Sequence, residues 1–463
     1  MAHIDAKRKR TSRQWFEEVL ALLAVIILPL FFGGKGLFAY FSGDDFMNLY
    51  GYWSKPFYET VQANVLYYSS FYRPLGGLVY LSLFKVFGLN PLPFRIVCFG
   101  LYFFNLFLLY RLALALSGSK EAAWLTALLG SHHAGYIDYY TNTGTIYDLL
   151  CFTFFCGGLF LHINGAKSVL VLLSFICALN SKEMAVTFPV IVLAYELIFH
   201  TPELKWQPLK RWLRERGLVP IALGFLLFPY LFSKLSSHSL LSSNSDYAMH
   251  LTYSQYMRNS LHYLELAIYQ QEGWATAPIL FALIGGTFLA ALALRSRMLL
   301  FCWFFGLVTP LPIIFIQPRG SIFVLYIPMI GYTMFAGVVM TLIHNQLGPV
   351  KRWLVFAAAF TALAFWHTVN MQPLREVSGI RQTAGQLASF KLHPKPGARI
   401  LLMDDALDTV ESLWVPTFIG RLLYQDPELT VDRLKAMEKK PSEAEINAYD
   451  FVLIYKLGRL WRR

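Results

Sequence analysis

Long apolar runs separated by short polar or basic linkers dominate this chain. The first extends from Trp15 to Tyr40, and further runs follow at roughly 95–116, 121–138, 146–163, 168–181, 184–199, 217–233, 275–294, 298–316, 321–343 and 353–370. Each reads as a membrane-spanning helix, since about 20 apolar residues cover the hydrocarbon core. The stretch Pro74–Gly88 is apolar too, but at 1.5 Å per residue it reaches only about 22 Å and carries Lys85. Counting it as a span would place Lys205, Lys210, Arg211, Arg214 and Arg216 outside. Leaving it out puts them inside, together with the N-terminal Lys7–Arg10 cluster, Arg295, Arg297, Lys351 and Arg352. The positive-inside rule therefore favours a juxtamembrane helix there, eleven spans and an outer C-terminus.

Between Pro56 and Tyr72, residues Val61, Val65, Tyr68 and Tyr72 recur at helical spacing and predict an amphipathic helix lying in the outer interface. The expected organisation is a cytoplasmic basic N-terminus (1–14), a transmembrane unit (15–370) with large outer loops at 41–94 and 235–272, and a polar segment (371–463). In that last segment ARILLMDD, ELTVDRLK and YDFVLIYK predict short strands of a small soluble α/β domain on the outer face. The second outer loop opens with a Ser-rich stretch and turns amphipathic through Tyr256–Tyr269. The fold class is an all-α polytopic membrane protein with outer juxtamembrane helices and this C-terminal domain.

Composition agrees: 56% of the 463 residues are hydrophobic and 15% are charged. The formal charge of +12 belongs to linkers beside anionic headgroups and does not imply nucleic-acid binding. The five cysteines lie in apolar runs without metal-ligand spacing and predict no disulfide framework. The first run lacks a small-residue cleavage site and is too long for a signal sequence core, so its retention is expected.

Under this topology the polar residues sort to one face. Asp44 and Asp45 follow the first span directly, and Arg73, Arg95, Asp148, Ser181-Lys182-Glu183 and Arg319 reach the same outer boundary. An acidic pair there suits general-base or metal chemistry, while Ser42-Gly43-Asp44 also fits a helix N-cap. Arg73 and Arg319 also suit snorkelling to the interface, Lys182–Glu183 an ordinary ion pair, and Asp148 a cap after Thr145. His132 and His133 fit buried hydrogen-bonding residues better than ligands, and Glu196, at the inner end of its span, a structural role.

Taken together, the acidic pair after span one, Tyr72-Arg73-Pro74-Leu75, Tyr147-Asp148-Leu149-Leu150 and the run Leu179–Thr187 leading into Pro189 and Tyr195-Glu196 resemble the GT-C superfamily of integral-membrane glycosyltransferases. The likeness is to protein O-mannosyltransferases and bacterial dolichyl- or undecaprenyl-phosphate-sugar-dependent relatives. It covers roughly residues 15–200, with Arg319 and Tyr326-Ile327-Pro328 beyond. The chain departs from the pattern at His132-His133-Ala134, which lacks a proline, at Gly144-Thr145, which lacks a cation, and in having no repeat tail.

The resemblance implies transfer of a sugar from a polyprenyl-phosphate donor to a protein, lipid or glycan acceptor. The active site would face the periplasm across a bacterial inner membrane. Asp44 would be the base, Asp45 would position the acceptor or a metal, and Arg73, Lys182 and Arg319 would hold the phosphate. Asp148 orients one of these cations, and Glu183 stands with them on the donor side. Such chemistry needs a carboxylate to take the acceptor's proton and fixed cations for the departing phosphate. No cofactor is fixed by the residues, and a divalent metal at the acidic pair stays open. A transporter, a scaffold and a polymerase or ligase of lipid-linked glycans are the alternatives. The first lacks the inverted repeat expected of it, and the second has no need of the charge pairs.

Overall fold

The computed structural model describes residues 12–131, 133, 136–202, 205–235, 248–268, 273–320, 322–347, 352–370, 378–389, 394–407, 413–437, 439–456 and 459–462. Within them the chain is mostly helical. The first apolar run forms α1 (Ser12–Gly33), prolonged by a tight 3-10 turn over Gly34–Phe38. The single run expected to Tyr40 therefore ends in a tightened turn, and the helix after it leaves at 65°. Gly33 and Gly36 let this segment lie directly against Tyr140, where a Cβ would overlap the ring or its backbone.

The segment expected as the first outer loop carries three helices: α2 (Gly43–Trp53), α3 (Phe57–Val65) and α4 (Pro74–Phe87). The amphipathic stripe expected through Tyr72 stops early. Leu66 leaves helical geometry at ψ 65°, so Tyr68 and Tyr72 lie on the loop that follows. On α3 itself Tyr58, Val61 and Val65 remain exposed, an apolar face suited to an interface. At α2, Ser42 accepts from the Asp45 amide while the Asp45 carboxylate accepts from the Ser42 amide, closing a capping box.

Then come α5 (Pro91–Ser117), α6 (Lys120–Gly130), the short α7 (Ile137–Thr141), α8 (Ile146–Ile163), α9 (Ser168–Ser181), α10 (Phe188–Phe199), α11 (Trp206–Trp212) and α12 (Leu218–Leu235). The run expected at 121–138 forms one helix to Gly130, and the short α7 begins at Ile137, followed by a 3-10 turn over Thr143–Thr145 before α8. Beyond it lie α13 (Tyr253–Ala267), α14 (Ala277–Ala293), α15 (Arg297–Val308), α16 (Leu311–Ile314), α17 (Pro328–Leu347) and α18 (Arg352–Asn370). Among the described residues four helical stretches, Pro91–Ser117, Thr143–Ile163, Trp206–Lys234 and Arg297–Ile314, are individually long and apolar enough to cross a membrane. Pro74–Phe87, Ser168–Ser181 and Ala277–Ala293 are shorter apolar helices.

Ion pairs mark the two ends of the bundle. At one end His162, closing α8, meets Glu196 near the end of α10 at 2.7 Å, and Arg216 before α12 reaches Glu196 at 3.5 Å. Arg297, opening α15, donates there to the Phe199 carbonyl. The starts of α4 and α8 and the ends of α9 and α12 gather at the other end, where the candidate site lies.

The C-terminal segment contains α19 (Ser378–Ser389), α20 (Val415–Tyr424), α21 (Glu443–Asn447) and four strands, β1 (Arg399–Leu402), β2 (Thr430–Arg433), β3 (Phe451–Lys456) and β4 (Arg459–Arg462). Their order is β2-β1-β3-β4. β1 pairs in parallel with β2 and β3, and β4 returns antiparallel to β3. Ile400, Leu402, Val431 and Leu453 are buried, with Ile419 and Leu422 of α20 among the core residues. Inside this core Arg433 holds Asp405 through both carboxylate oxygens, at 2.8 and 2.9 Å.

Candidate active site

Asp44 and Asp45 have opposite environments although they are neighbours. Asp45 is fully buried. One of its oxygens accepts from the Ser42 amide at 2.8 Å and from Arg95 Nη2 at 3.3 Å, and the other from Tyr80 Oη at 3.4 Å. Arg95, itself buried, also donates to the Tyr40 carbonyl at 2.8 Å. The Asp45 oxygens thus serve the cap and the joint between α2, α4 and α5.

Asp44, one position earlier, is exposed at the first turn of α2. Its carboxyl nevertheless stands among enough protein to be partly desolvated, which raises its pKa. The negative charges of Asp45 and Asp138 raise it further, against a hydrogen bond from Asn142 that lowers it. A carboxylate that is solvent-accessible yet shifted upward is fit to accept a proton during reaction. Asn142 is fixed in turn, because its side-chain oxygen accepts from the Gly144 amide at 2.7 Å.

The second group is a four-charge cluster. Arg73 meets Glu183 through Nη2 at 2.6 Å and Nε at 3.3 Å. Lys182 donates to Asp148 at 2.5 Å, with both side chains buried, and lies 5.1 Å from the Phe323 ring centroid. Arg73 is also flanked by the rings of Tyr72 and Tyr147, at 4.6 and 5.0 Å. Tyr147 accepts a 2.9 Å hydrogen bond from Tyr52, which lies against α4. That approach needs a glycine: a Cβ at Gly77 would stand 2.6 Å from the Tyr52 ring.

The backbone at Arg73 is strained. Its φ of 43° and ψ of 61° are left-handed, a conformation costing a residue with a Cβ about 1–2 kcal/mol. Pro74 contributes, because a following proline disfavours the right-handed region. Strain of this kind persists where surrounding contacts over-determine it. Here Tyr52 Oη approaches the Arg73 carbonyl at 3.4 Å while Glu183 fixes the guanidinium.

Glu183 sits on the turn between α9 and α10. Burial pushes its pKa up, but the positive charges of Arg73 and Lys182 outweigh that and lower it to about 2. The carboxylates thus aim both cations. Lys182 and Glu183 do not pair with each other, as adjacent opposite charges would suggest. Lys182 has an extended backbone (φ −160°, ψ 148°), which turns consecutive side chains to opposite sides.

Arg319 is seated on a neighbouring segment. Its amide donates to Tyr263 Oη at 3.4 Å and its carbonyl accepts from His262 at 3.0 Å, which seats it against α13. The segment it belongs to still approaches Lys182, through Phe323. His133 bonds the Ala267 carbonyl at 3.3 Å, while His132 lies outside the described residues.

Three participants carry little signal in the sequence. Lys234, near the end of α12, donates to the carbonyls of Ser69 and Phe71, both at 2.8 Å, and with Tyr72, Arg73, Asn180, Glu183 and Tyr230 lines one cleft. Its only mark in the sequence is that of a lone lysine ending an apolar helix. Asn142 and Asp138, beside Asp44, have no signal beyond their place in a polar turn. Among the described residues no group of three His, Cys, Asp or Glu is arranged to hold a metal ion.

No protein-family model matches the sequence. No curated protein matches it either. Among solved structures, the crystal structure of ArnT from Cupriavidus metallidurans bound to undecaprenyl phosphate is similar over 91% of this chain and 86% of that one, with a TM-score of 0.49 and 14% sequence identity.

Proposed function

We propose that this protein is a membrane glycosyltransferase that moves a sugar from a polyprenyl-phosphate donor to an acceptor, with Asp44 as general base. The observation that carries the reading is the pairing of an accessible, partly desolvated carboxylate with a half-buried cluster in which two carboxylates aim two cations. In the reaction the acceptor oxygen or nitrogen attacks the anomeric carbon and passes its proton to Asp44. The bond from that carbon to the phosphate oxygen breaks, and the lipid phosphate leaves with one more negative charge.

That charge calls for preorganised donors. Arg73 supplies a planar fork and Lys182 a point charge. Glu183 and Asp148 orient them, while Arg319 stands on the neighbouring segment as a third contact to the donor. Asp45 and Arg95 act one step back, fixing the start of α2 on which Asp44 stands.

The eleven-span topology belongs to this proposal. Opposite ends of successive helices carry the Asp148–Lys182 and His162–Glu196 pairs, and Arg216 and Arg297 lie at the second end, which supports a cytoplasmic assignment for it. The candidate site would then face the periplasm, with residues 371–463 as a small domain on the same side.

Binding tests the donor half of the reading. Purified protein in nanodiscs should bind undecaprenyl phosphate, and Arg73→Gln or Lys182→Gln should weaken binding roughly ten- to hundredfold, as loss of one charge-assisted hydrogen bond implies. Arg73→Lys should recover part of the loss. Equal affinity in wild type and both glutamine variants would reject phosphate recognition by this cluster.

A further inference from the structure

Helix α20 of the C-terminal segment lies directly on α2, the helix that carries Asp44. At the start of α2, a Cβ on Gly43 would stand 3.2 Å from a Val415 methyl and 3.4 Å from the Trp414 ring. In the middle, the Tyr50 ring stacks on Phe418 at 4.7 Å and 18°. Arg421 Nη1 donates to Tyr50 Oη at 2.6 Å. At the far end Trp53 Nε1 donates to Gln425 Oε1 at 3.2 Å. The contacts advance together, Gly43 to Trp53 against Trp414 to Gln425, so the helices run side by side in one direction. Arg421 also donates through Nε to the Leu429 carbonyl at 2.7 Å, just before β2, tying α2 to the sheet itself.

An eleven-residue helix has little stability of its own, so its position is set by what it packs against. One face of α2 is fixed through Asp45, Phe46, Leu49 and Tyr52, all buried. The face bearing Gly43, Tyr50 and Trp53 is fixed by α20. Asp44 projects from the first turn, where small displacements of the helix move the carboxylate directly, and reacting groups misplaced by about 1 Å can lose about a hundredfold in rate.

We infer that α20 is a positioning element of the active site: Gly43, Tyr50 and Arg421 clamp α2 against the C-terminal sheet and thereby set where the Asp44 carboxylate stands. The inference rests on Asp44 being the base, as argued under Proposed function. It gives the sheet a part in the reaction although none of its residues belongs to the charge cluster.

The test reads Asp44 itself, independently of turnover. Carbodiimide with glycinamide labels carboxyls in their protonated form, and peptide mass spectrometry follows Asp44 and the exposed Glu428 across pH in wild type, Tyr50→Phe and Gly43→Val. Tyr50→Phe keeps the ring stack and removes only the bond to Arg421, so it serves if Gly43→Val fails to fold. The clamp requires the Asp44 labelling midpoint to move to lower pH in the variant, as a loosened helix hydrates the carboxyl, while Glu428 stays in place. Transfer from undecaprenyl-phosphate-linked sugar should fall about three- to tenfold in Tyr50→Phe, the rate equivalent of one hydrogen bond, with undecaprenyl phosphate binding unchanged. An unmoved Asp44 midpoint, or equal shifts at Asp44 and Glu428, would overturn the clamp. Full turnover by Asp44→Asn would instead overturn the base assignment, and the labelling shift would still decide for or against the clamp.

Discussion

Removing the Glu183 charge should cost stability in a pH-dependent way that can be worked out beforehand. The carboxyl titrates at about 2 in the folded protein against 4.5 as a model group. That difference corresponds to up to about 3 kcal/mol favouring the folded state when the group is ionised. With 22% of the Glu183 side chain and 12% of Arg73 exposed, solvent screening brings the expected figure to roughly 2–3 kcal/mol. Because the folded pKa is depressed, the contribution is complete above pH 4.5 and is lost as pH falls through 2. At pH 3.5 it should be smaller by about 1 kcal/mol. Glu183→Gln should therefore be destabilised by a constant amount between about pH 5 and 8, with the gap to wild type narrowing at pH 3.5.

Reversible unfolding in detergent, read by far-ultraviolet circular dichroism at pH 7 and pH 3.5, measures both numbers. Adding Arg73→Gln and the double variant closes a cycle whose coupling energy should be about 1.5–3 kcal/mol. A difference below about 0.5 kcal/mol at pH 7, the range of an exposed pair, would refute the reasoning. So would a gap that does not narrow in acid.

The other expectations concern the backbone, the buried pair and the topology. Arg73→Gly and Arg73→Ala lose the same ion pair, yet the alanine variant should be less stable by about 1–2 kcal/mol, since only glycine adopts φ 43° without strain; equal stabilities would deny that strain. Asp45→Asn leaves the buried Arg95 without its countercharge and should cost about 3–5 kcal/mol, seen as loss of folded protein during purification, whereas Asp44→Asn should purify normally. Single cysteines near Ser442 and Gln207 should be labelled by an impermeant maleimide from opposite sides of the membrane, and labelling of both from one side would break the eleven-span topology.

Hydrophobic patterning made the run of helices legible, and α8, α9 and α14 lie within a residue or two of the apolar runs that predict them. It failed where apolar composition continues through irregular backbone. The run expected to 138 has its helix end at Gly130 while Tyr136 beyond it stays buried, so apolar composition continues past the helix end. The charges were legible as a set but not in their partners. Lys182 and Glu183 look like a pair in sequence, and only the extended backbone at Lys182 sends one to Asp148 and the other to Arg73. The separation of Asp44 from Asp45 was equally hidden, because it depends on the capping box and on Arg95, fifty residues on. The contact of α20 with α2 joins residues some 370 positions apart, and no local pattern announces it.

The central claim is sugar transfer from a polyprenyl-phosphate donor with Asp44 as base. Its most direct measurement is release of undecaprenyl phosphate from undecaprenyl-phosphate-linked sugars, a panel of radiolabelled pentose and hexose donors, by purified protein in nanodiscs supplied with membrane extract as acceptor source. One donor should be consumed by wild type, and Asp44→Asn should bind it normally while turning over at least about a hundredfold more slowly, as loss of a general base implies. Wild-type turnover by Asp44→Asn, or no donor consumed across the panel, would contradict the account.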